Sequence, residues 1–463
     1  MRARSIAILS VALAAAGCGG SPSAPAPSAE SLWSAPLTLP SPAPPAAAHV
    51  AERDDGTAIA VWAQQGKGPA ARPMAAERAA DGTWAPGEPI APESPTPIRS
   101  VCVVVGDDGA VTAVWALDDR SVGAVFSYIQ SARREPGGEW GEPVTLSRGT
   151  NGLSEVLATG TSDGRVVVVW AGSERRNGSY FAEMKSAERA ADGQWSFARI
   201  AGIRLGDPFL PAGALASDPS GVARLVWLAL PRRGFKGGVL ASDLTPGGRW
   251  STPRVLAGSS GNQSDLRVAS ATDGTMTAAW RRPRDGVLTV TRRGASGWSA
   301  ARVVPGGGTE PNAVVSEGGA GGSLVVLERT RPAARRSTLL AVRVGADGSL
   351  SRLVPLASQR VPPSSRLGVI AWEATAVVSE EGRAAVAWPR FEERPDGVLL
   401  TRAIVARVSG PSGPWTREQA VAPGALGPGL GVFPQLFLED SRFQLRWTSE
   451  GPDGGTRVST RRR

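Results

Sequence analysis

Histidine is almost missing from this chain: His49 is the only one in 463 residues. Zinc sites built on several histidines are excluded at once, as are Cys-His dyads with further His ligands. A Ser-His-Asp triad has only His49 to build on, and no nucleophile-elbow motif lies near it. Its expected role is a solvated or hydrogen-bonded residue near a channel mouth. Cysteine is nearly as scarce, with Cys18 and Cys102 alone. No disulfide framework is therefore expected, and Cys102, inside the apolar run Val101 to Val105, reads as a packed core thiol. Tyrosine occurs only at Tyr128 and Tyr180, and lysine only at Lys67, Lys185 and Lys236. P-loop, dinucleotide and EF-hand patterns are lacking, so neither a cofactor nor a metal is expected. The apolar run Ile6 to Ala16 is too short for a permanent membrane-spanning helix.

What the chain has in quantity is a repeat. A segment ending in Ala-Val-Trp or a close variant closes at Trp62, Trp115, Trp170, Trp227, Trp280, Leu327, Trp388 and Trp447, and the first five are 53, 55, 57 and 53 residues apart. A fixed period of this length marks a repeat architecture, whose units need their neighbours to bury a hydrophobic face. This overrides the multidomain division that length alone would suggest. A second marker follows in each unit, at Trp84, Trp140, Trp195, Trp250, Trp298 and Trp415, with Leu350 in its place in the sixth. The segment after it tolerates proline, as in Ala85 to Ile90, which suits an outermost strand.

Asp-Gly turns punctuate the apolar runs, at Asp55-Gly56, Asp108-Gly109, Asp163-Gly164 and Asp273-Gly274 between strands one and two, and at Asp81-Gly82, Asp192-Gly193 and Asp347-Gly348 between strands three and four. These are hairpin signals. Second strands such as Val166 to Trp170 are continuously apolar, as in a strand covered on both faces. Four strands per unit stacked between like sheets predict an all-β fold, a single β-propeller of eight four-stranded blades. Seven is the alternative, if the Trp-free sixth unit is an insertion. The last unit ends after three strands, while an orphan fourth-strand signature, Leu32 to Leu37, precedes the first. That N-terminal strand is expected to complete the last blade and so remove two exposed edges.

Arg2 and Arg4, the short apolar run and Ala16-Gly17-Cys18-Gly19 resemble a bacterial lipoprotein signal peptide. The resemblance implies a signal over residues 1–17, lipidation of Cys18, and anchoring to the membrane of the cell envelope, with Gly19 favouring the outer membrane. The alternative is a cleaved secretory signal with Cys18 incidental. Residues 18–30 then read as a Pro/Ser/Ala-rich tether, and residues 31–463 as the propeller domain.

The repeats resemble sialidase-like propellers and the Asp-Gly/Val-Trp repeat proteins secreted by bacteria. The likeness concerns fold, which does not carry function. The sialidase turn, Ser-x-Asp-x-Gly-x-x-Trp, is matched only loosely by Ala271-Thr272-Asp273-Gly274, with Trp280 six residues on. Sialidases also imply six blades and a Tyr-Glu nucleophile pair, for which Tyr128 and Tyr180, both in predicted third strands, offer no home.

Sorting charges by strand end gives a sharper expectation. The turns between strands one and two carry an acidic rim that includes Asp55, Asp108, Asp218, Asp273 and Glu317, and turn chemistry is its simplest explanation. At the other end, the strand two-three loops of units four to six hold Arg232, Arg233, Lys236, Arg281, Arg282, Arg284, Arg329, Arg331, Arg335 and Arg336. Arginine's planar fork suits carboxylate, sulfate or phosphate, so an anionic polysaccharide is a candidate ligand there. The competing reading is that these are solvated loops in an arginine-preferring chain. Net charge is +9, but no aromatic stacking platform accompanies the basic loops, so nucleic acid is not expected. The long link Ala357 to Trp372 is a candidate lip on the same side. Two functions remain open. The first is a surface-anchored, monomeric binding or interaction module, for an anionic glycan or a protein partner. The second is a carbohydrate-active enzyme, a sialidase-like hydrolase or lyase, with carboxylates in the central funnel.

Overall fold

Each Asp-Gly pair forms the local turn that its chemistry favours. Gly56 N–H donates to the Arg53 carbonyl (3.0 Å) and Arg53 N–H to the Thr57 carbonyl (2.8 Å). Gly56 itself sits at φ 79°. The hairpin is therefore a β-turn followed by a left-handed bulge residue, a three-residue connection rather than a two-residue one. Asp55 Oδ1 accepts the N–H of Thr57 at 2.9 Å, and Asp108, Asp192, Asp273 and Asp347 do the same two residues on.

The computed structural model describes residues 37–39, 48–53, 55–66, 70–81, 83–119, 126–151, 156–176, 179–200, 213–229, 238–258, 264–271, 273–282, 285–306, 313–331, 334–360, 374–393, 399–428, 435–439, 442–450 and 456–462. The signal, Cys18, the tether and the orphan signature from Leu32 to Pro36 lie outside them. Strands dominate, with a 3-10 turn at Gly319–Gly321 and no α-helix among the described residues.

The strands form seven antiparallel sheets. Unit one runs Ala48–Glu52, Ala58–Gln65, Ala71–Arg78 and Glu88–Pro89, in that order across its sheet. Units four, six and seven repeat the pattern, and unit five does so with a split last strand. Units two and three share one eight-stranded sheet, in which two four-stranded meanders meet only at the Ser173 to Asn151 pair. In the remaining sheet, Leu37–Leu39 pairs with Thr456–Arg462, Leu39 opposite Val458. Leu350 bridges Val344 as Trp84, Trp140, Trp250 and Trp415 bridge their own third strands. The Trp-free sixth unit is thus a sheet like the others.

Burial explains the continuously apolar second strands. Every residue of Ala223–Ala229 and Met276–Arg281 is buried, and Trp115, Trp227, Trp280 and Trp388 are fully enclosed. The seven apolar clusters each join two consecutive units, as when Val167, Val169 and Ala171 of unit three pack on Leu225 and Trp227 of unit four. The core is therefore a stack of inter-sheet layers, and stability is set by nearest-neighbour contacts.

Candidate functional site

The first strands lie side by side in chain order, and each exposes one edge of unpaired backbone groups. Leaving such groups buried and unbonded costs about 1–3 kcal/mol each. In units two, three, seven and eight a polar side chain from the preceding unit meets one of them. Val103 N–H donates to His49 Nδ1 (3.3 Å), Val156 N–H to Ser100 Oγ (3.4 Å), Val378 N–H to Ser316 Oγ (2.9 Å) and Leu436 N–H to Thr375 Oγ1 (3.1 Å). Cys102 is buried and its thiol donates to the Val156 carbonyl at 2.9 Å. The side chains that sequence reasoning weighed for chemistry, His49 and Cys102, thus link consecutive first strands.

The ring of His49 is open to water yet hemmed in by protein, and this desolvation lowers its pKa from 6.5. Neutral in both states above pH 6.5, His49 takes up its proton in the unfolded chain first, so stability present above pH 6.5 is lost as pH falls from there toward its lower folded value. The melting temperature is expected to decline as pH drops from 7.5 to 5. His49→Gln, which keeps an acceptor for Val103, is expected to flatten that decline. A second decline, common to both proteins, begins below pH 3.8. There Asp55 and Asp218, both held below that ordinary value, take up protons. Hydrogen bonds from Thr57 lower Asp55; for Asp218, partial burial alone would raise the pKa, but bonds from Ser220 and Arg224 outweigh it. A pH-independent melting temperature between 7.5 and 5 would exclude this role for His49.

At the end carrying the Asp-Gly turns, the expected acidic rim is largely neutralised by arginines at strand ends. Arg133 meets Asp108 at 2.7 Å, and Arg165 meets Asp163 at 2.7 Å and Glu188 at 3.0 Å. Several of these arginines cross to a neighbouring unit. Arg134 holds Glu77 and Glu88 of unit one, each at 2.5 Å, and lies over Trp140. Arg165 donates to the Gly221 carbonyl of unit four (2.6 Å), and Arg343 to the Gly382 carbonyl of unit seven (2.8 Å). Glu317 is not a rim acid: it is fully buried and paired at 2.7 Å with Arg292, itself 2% exposed. An open cleft of about 350 Å³ between units one and two is lined by Arg53, Asp55, Glu77, Arg134 and Glu135. Its charges are already matched, Glu77 lying between Arg53 (3.7 Å) and Arg134. Hydrogen bonds from Thr57, Thr83 and Ser349 hold Asp55, Asp81 and Asp347 below the ordinary aspartate pKa, as their turn geometry requires.

At the opposite end the basic residues separate by environment. Arg232, Arg233, Lys236 and Arg284 lie outside the described residues. Arg281 is 3% exposed, with Nη1 on the Gly286 carbonyl (2.8 Å), so it is closed to a docking ligand. Arg282 pairs with Asp285. Arg329 is half-buried and reaches the Gly306 carbonyl (3.4 Å). Arg331, Arg335 and Arg336 are exposed. The expected lip beginning at Ala357 is strand as far as Arg360, and the rest of it, with Trp372, lies outside the described residues. That strand brings in a residue absent from the sequence-derived set: Arg360 pairs in register with Arg336, which pairs with Arg331.

No protein-family model and no curated protein matches the sequence. Among solved structures, a Dyadobacter fermentans protein of unknown function is similar at 12% identity, with 78% of this chain and 93% of that one covered and a TM-score of 0.40. A Hadza microbial sialidase is similar at 11% identity, with 89% and 64% covered and a TM-score of 0.37. An alpha-L-arabinanase of Penicillium chrysogenum, complexed with arabinobiose, is similar at 12% identity, with 78% and 92% covered and a TM-score of 0.36. The described chain is all-β, built of antiparallel sheets, and likeness of this order carries nothing about activity.

Proposed function

We propose that this protein is a non-catalytic binding module of the cell envelope, an eight-bladed propeller whose strand two-three hairpins receive an anionic ligand. Eight blades follow if the eight-stranded sheet is divided at its single Ser173 to Asn151 link. The pairing of Leu37–Leu39 with Thr456–Arg462 supports closure of the ring, because it joins the early and late ends of the described chain in one sheet. Lipidation at Cys18 belongs to the same proposal and tethers the propeller to the outer membrane.

The carrying observation is a contrast between the two ends of the strands. At the turn end, Arg133, Arg134, Arg165, Arg224 and Arg343 are matched to carboxylates or carbonyls of their own or a neighbouring unit. At the hairpin end, Arg331, Arg336 and Arg360 are exposed and have no carboxylate partner among the described residues. Arginine forks left free of internal carboxylates are suited to an external anion. The engagement of His49 and Cys102 between strands favours binding over catalysis.

The full chain in mild detergent, applied to an array of neutral and acidic glycans, is expected to retain acidic members, with retention falling as salt rises. Turnover of any glycan, or retention of neutral glycans alone, would overturn this function. Palmitate labelling that survives Cys18→Ser would remove the anchor.

A further inference from the structure

We infer that the ligand is an acidic polysaccharide chain, and that it lies across three strands of the sixth blade on the row Arg331, Arg336 and Arg360. This deepens the binding-module reading and rests on it. Arg331 and Arg336 are directly opposite one another across the hairpin, and Arg336 is directly opposite Arg360 on the next strand. Opposed residues share one sheet face, so three guanidinium side chains stand in line over two strand spacings, about 10 Å at roughly 4.8 Å each.

Like charges directly opposite in a sheet destabilise it. No carboxylate among the described residues pairs with this row, whereas Arg133, Arg134, Arg165, Arg224 and Arg343 at the other end of the strands each have an anionic or carbonyl partner. The turn carries a second cost. Arg335 sits at φ 46°, the one non-glycine residue at positive φ among those described. Backbone strain of this kind clusters at ligand sites. A row that opposes folding in isolation is relieved by an anion bridging its members.

The hairpin's length opens the surface. In unit five the ladder runs one pair beyond Trp280, to Arg281 and Leu288, whereas in unit six it runs four pairs beyond Leu327, to Arg331 and Arg336. The extra pairs carry the sixth hairpin about 10 Å past its neighbour's ladder, at roughly 3.3 Å per residue. One row inward on the same face lie Arg329, Thr338 and Ser358, with the two hydroxyls 3.3 Å apart. Guanidinium forks backed by hydroxyls suit a carboxylated or sulfated sugar chain. An anionic membrane would want apolar side chains to insert beside the charges. The exposed large apolar residues Val144, Phe197, Val255, Val303 and Val354 belong instead to fourth strands.

The test uses the full chain in detergent and four probes: polygalacturonate, heparin, uncharged dextran, and phosphatidylglycerol vesicles. Wild type is expected to bind the two polyanions and neither of the others. The variant R331S/R336S/R360S is expected to lose roughly tenfold in affinity, about 1.4 kcal/mol. Because it removes opposed like charges, it is expected to melt at or above the wild-type temperature. The control R254S/R302S/R352S removes the same net charge from exposed positions in or just before fourth strands and is expected to bind like wild type. If both variants bind the polyanions as wild type does, this site is wrong and the binding-module reading stands. Equal losses in both variants mean a diffuse charge effect and overturn the site. Binding of vesicles without polysaccharide overturns the ligand class, and binding of no probe by wild type overturns both readings.

Discussion

Glu317→Ala is expected to lower the unfolding free energy by about 3–5 kcal/mol, because removing one partner of a buried ion pair leaves the other charge buried and uncompensated. Glu317 and Arg292 are both almost wholly enclosed, and their guanidinium–carboxylate contact is 2.7 Å. Arg292 also donates to the Gly319 carbonyl, and Glu317 accepts from Thr277 Oγ1 at 2.6 Å. The pair joins unit five to unit six, so its loss strikes an interface that both sheets need. Replacing both members by apolar residues, as in Arg292→Met with Glu317→Leu, is expected to recover most of that stability. Denaturant titration of the single and double variants measures the difference. A single-variant loss below about 1 kcal/mol would mean that Arg292 reaches water, and the enclosed pair described above would be wrong.

Gly274→Ala is expected to cost about 2–5 kcal/mol, the sum of a left-handed backbone for a residue with a Cβ and overpacking of a tight contact. Gly274 sits at φ 78°, and a Cβ there would lie 2.1 Å from Asp218 Cβ and 2.9 Å from Asp218 Cα of the preceding unit. A Cβ on Gly319 would lie 2.8 Å from the Asp273 carboxylate, and one on Gly221 3.4 Å from that of Asp163. Thus the glycine of one turn makes room for the aspartate of the turn before it. Gly247→Ala supplies the control: φ is 62° and nothing lies within 4 Å of the added carbon, so only the backbone term of about 1–2 kcal/mol is expected. Equal losses at the two sites, read from denaturation midpoints, would show that the contact between turns contributes nothing.

The Asp-Gly turns were legible as local chemistry, because the Asp side chain bonds the backbone two residues on whatever surrounds it. Their second role, as packing surfaces between units, was not legible, since Asp218 and Gly274 are 56 residues apart. The same separation misled the reading of charge. Glu317 follows an apolar strand like other turn acids, yet Arg292 from the neighbouring sheet draws it into the interior. Arg281 and Arg331 both sit at the ends of second strands in consecutive repeats. The first is enclosed and the second open, because one hairpin is several residue pairs longer than the other. Arg360 was read as part of a link, because nothing local reveals that its strand continues beside Arg336.

The sequence by itself determined the repeat, the four strands per unit, the turn positions and the doubly covered second strands. All of these follow from hydrophobic period and turn chemistry acting over a few residues. Only the tertiary structure decided which arginines are joined to carboxylates and which stand open, and that His49 serves the backbone of the next strand. Those outcomes depend on strand register and on contacts between units some fifty residues apart, where ion pairing and burial compete without a local sequence signature.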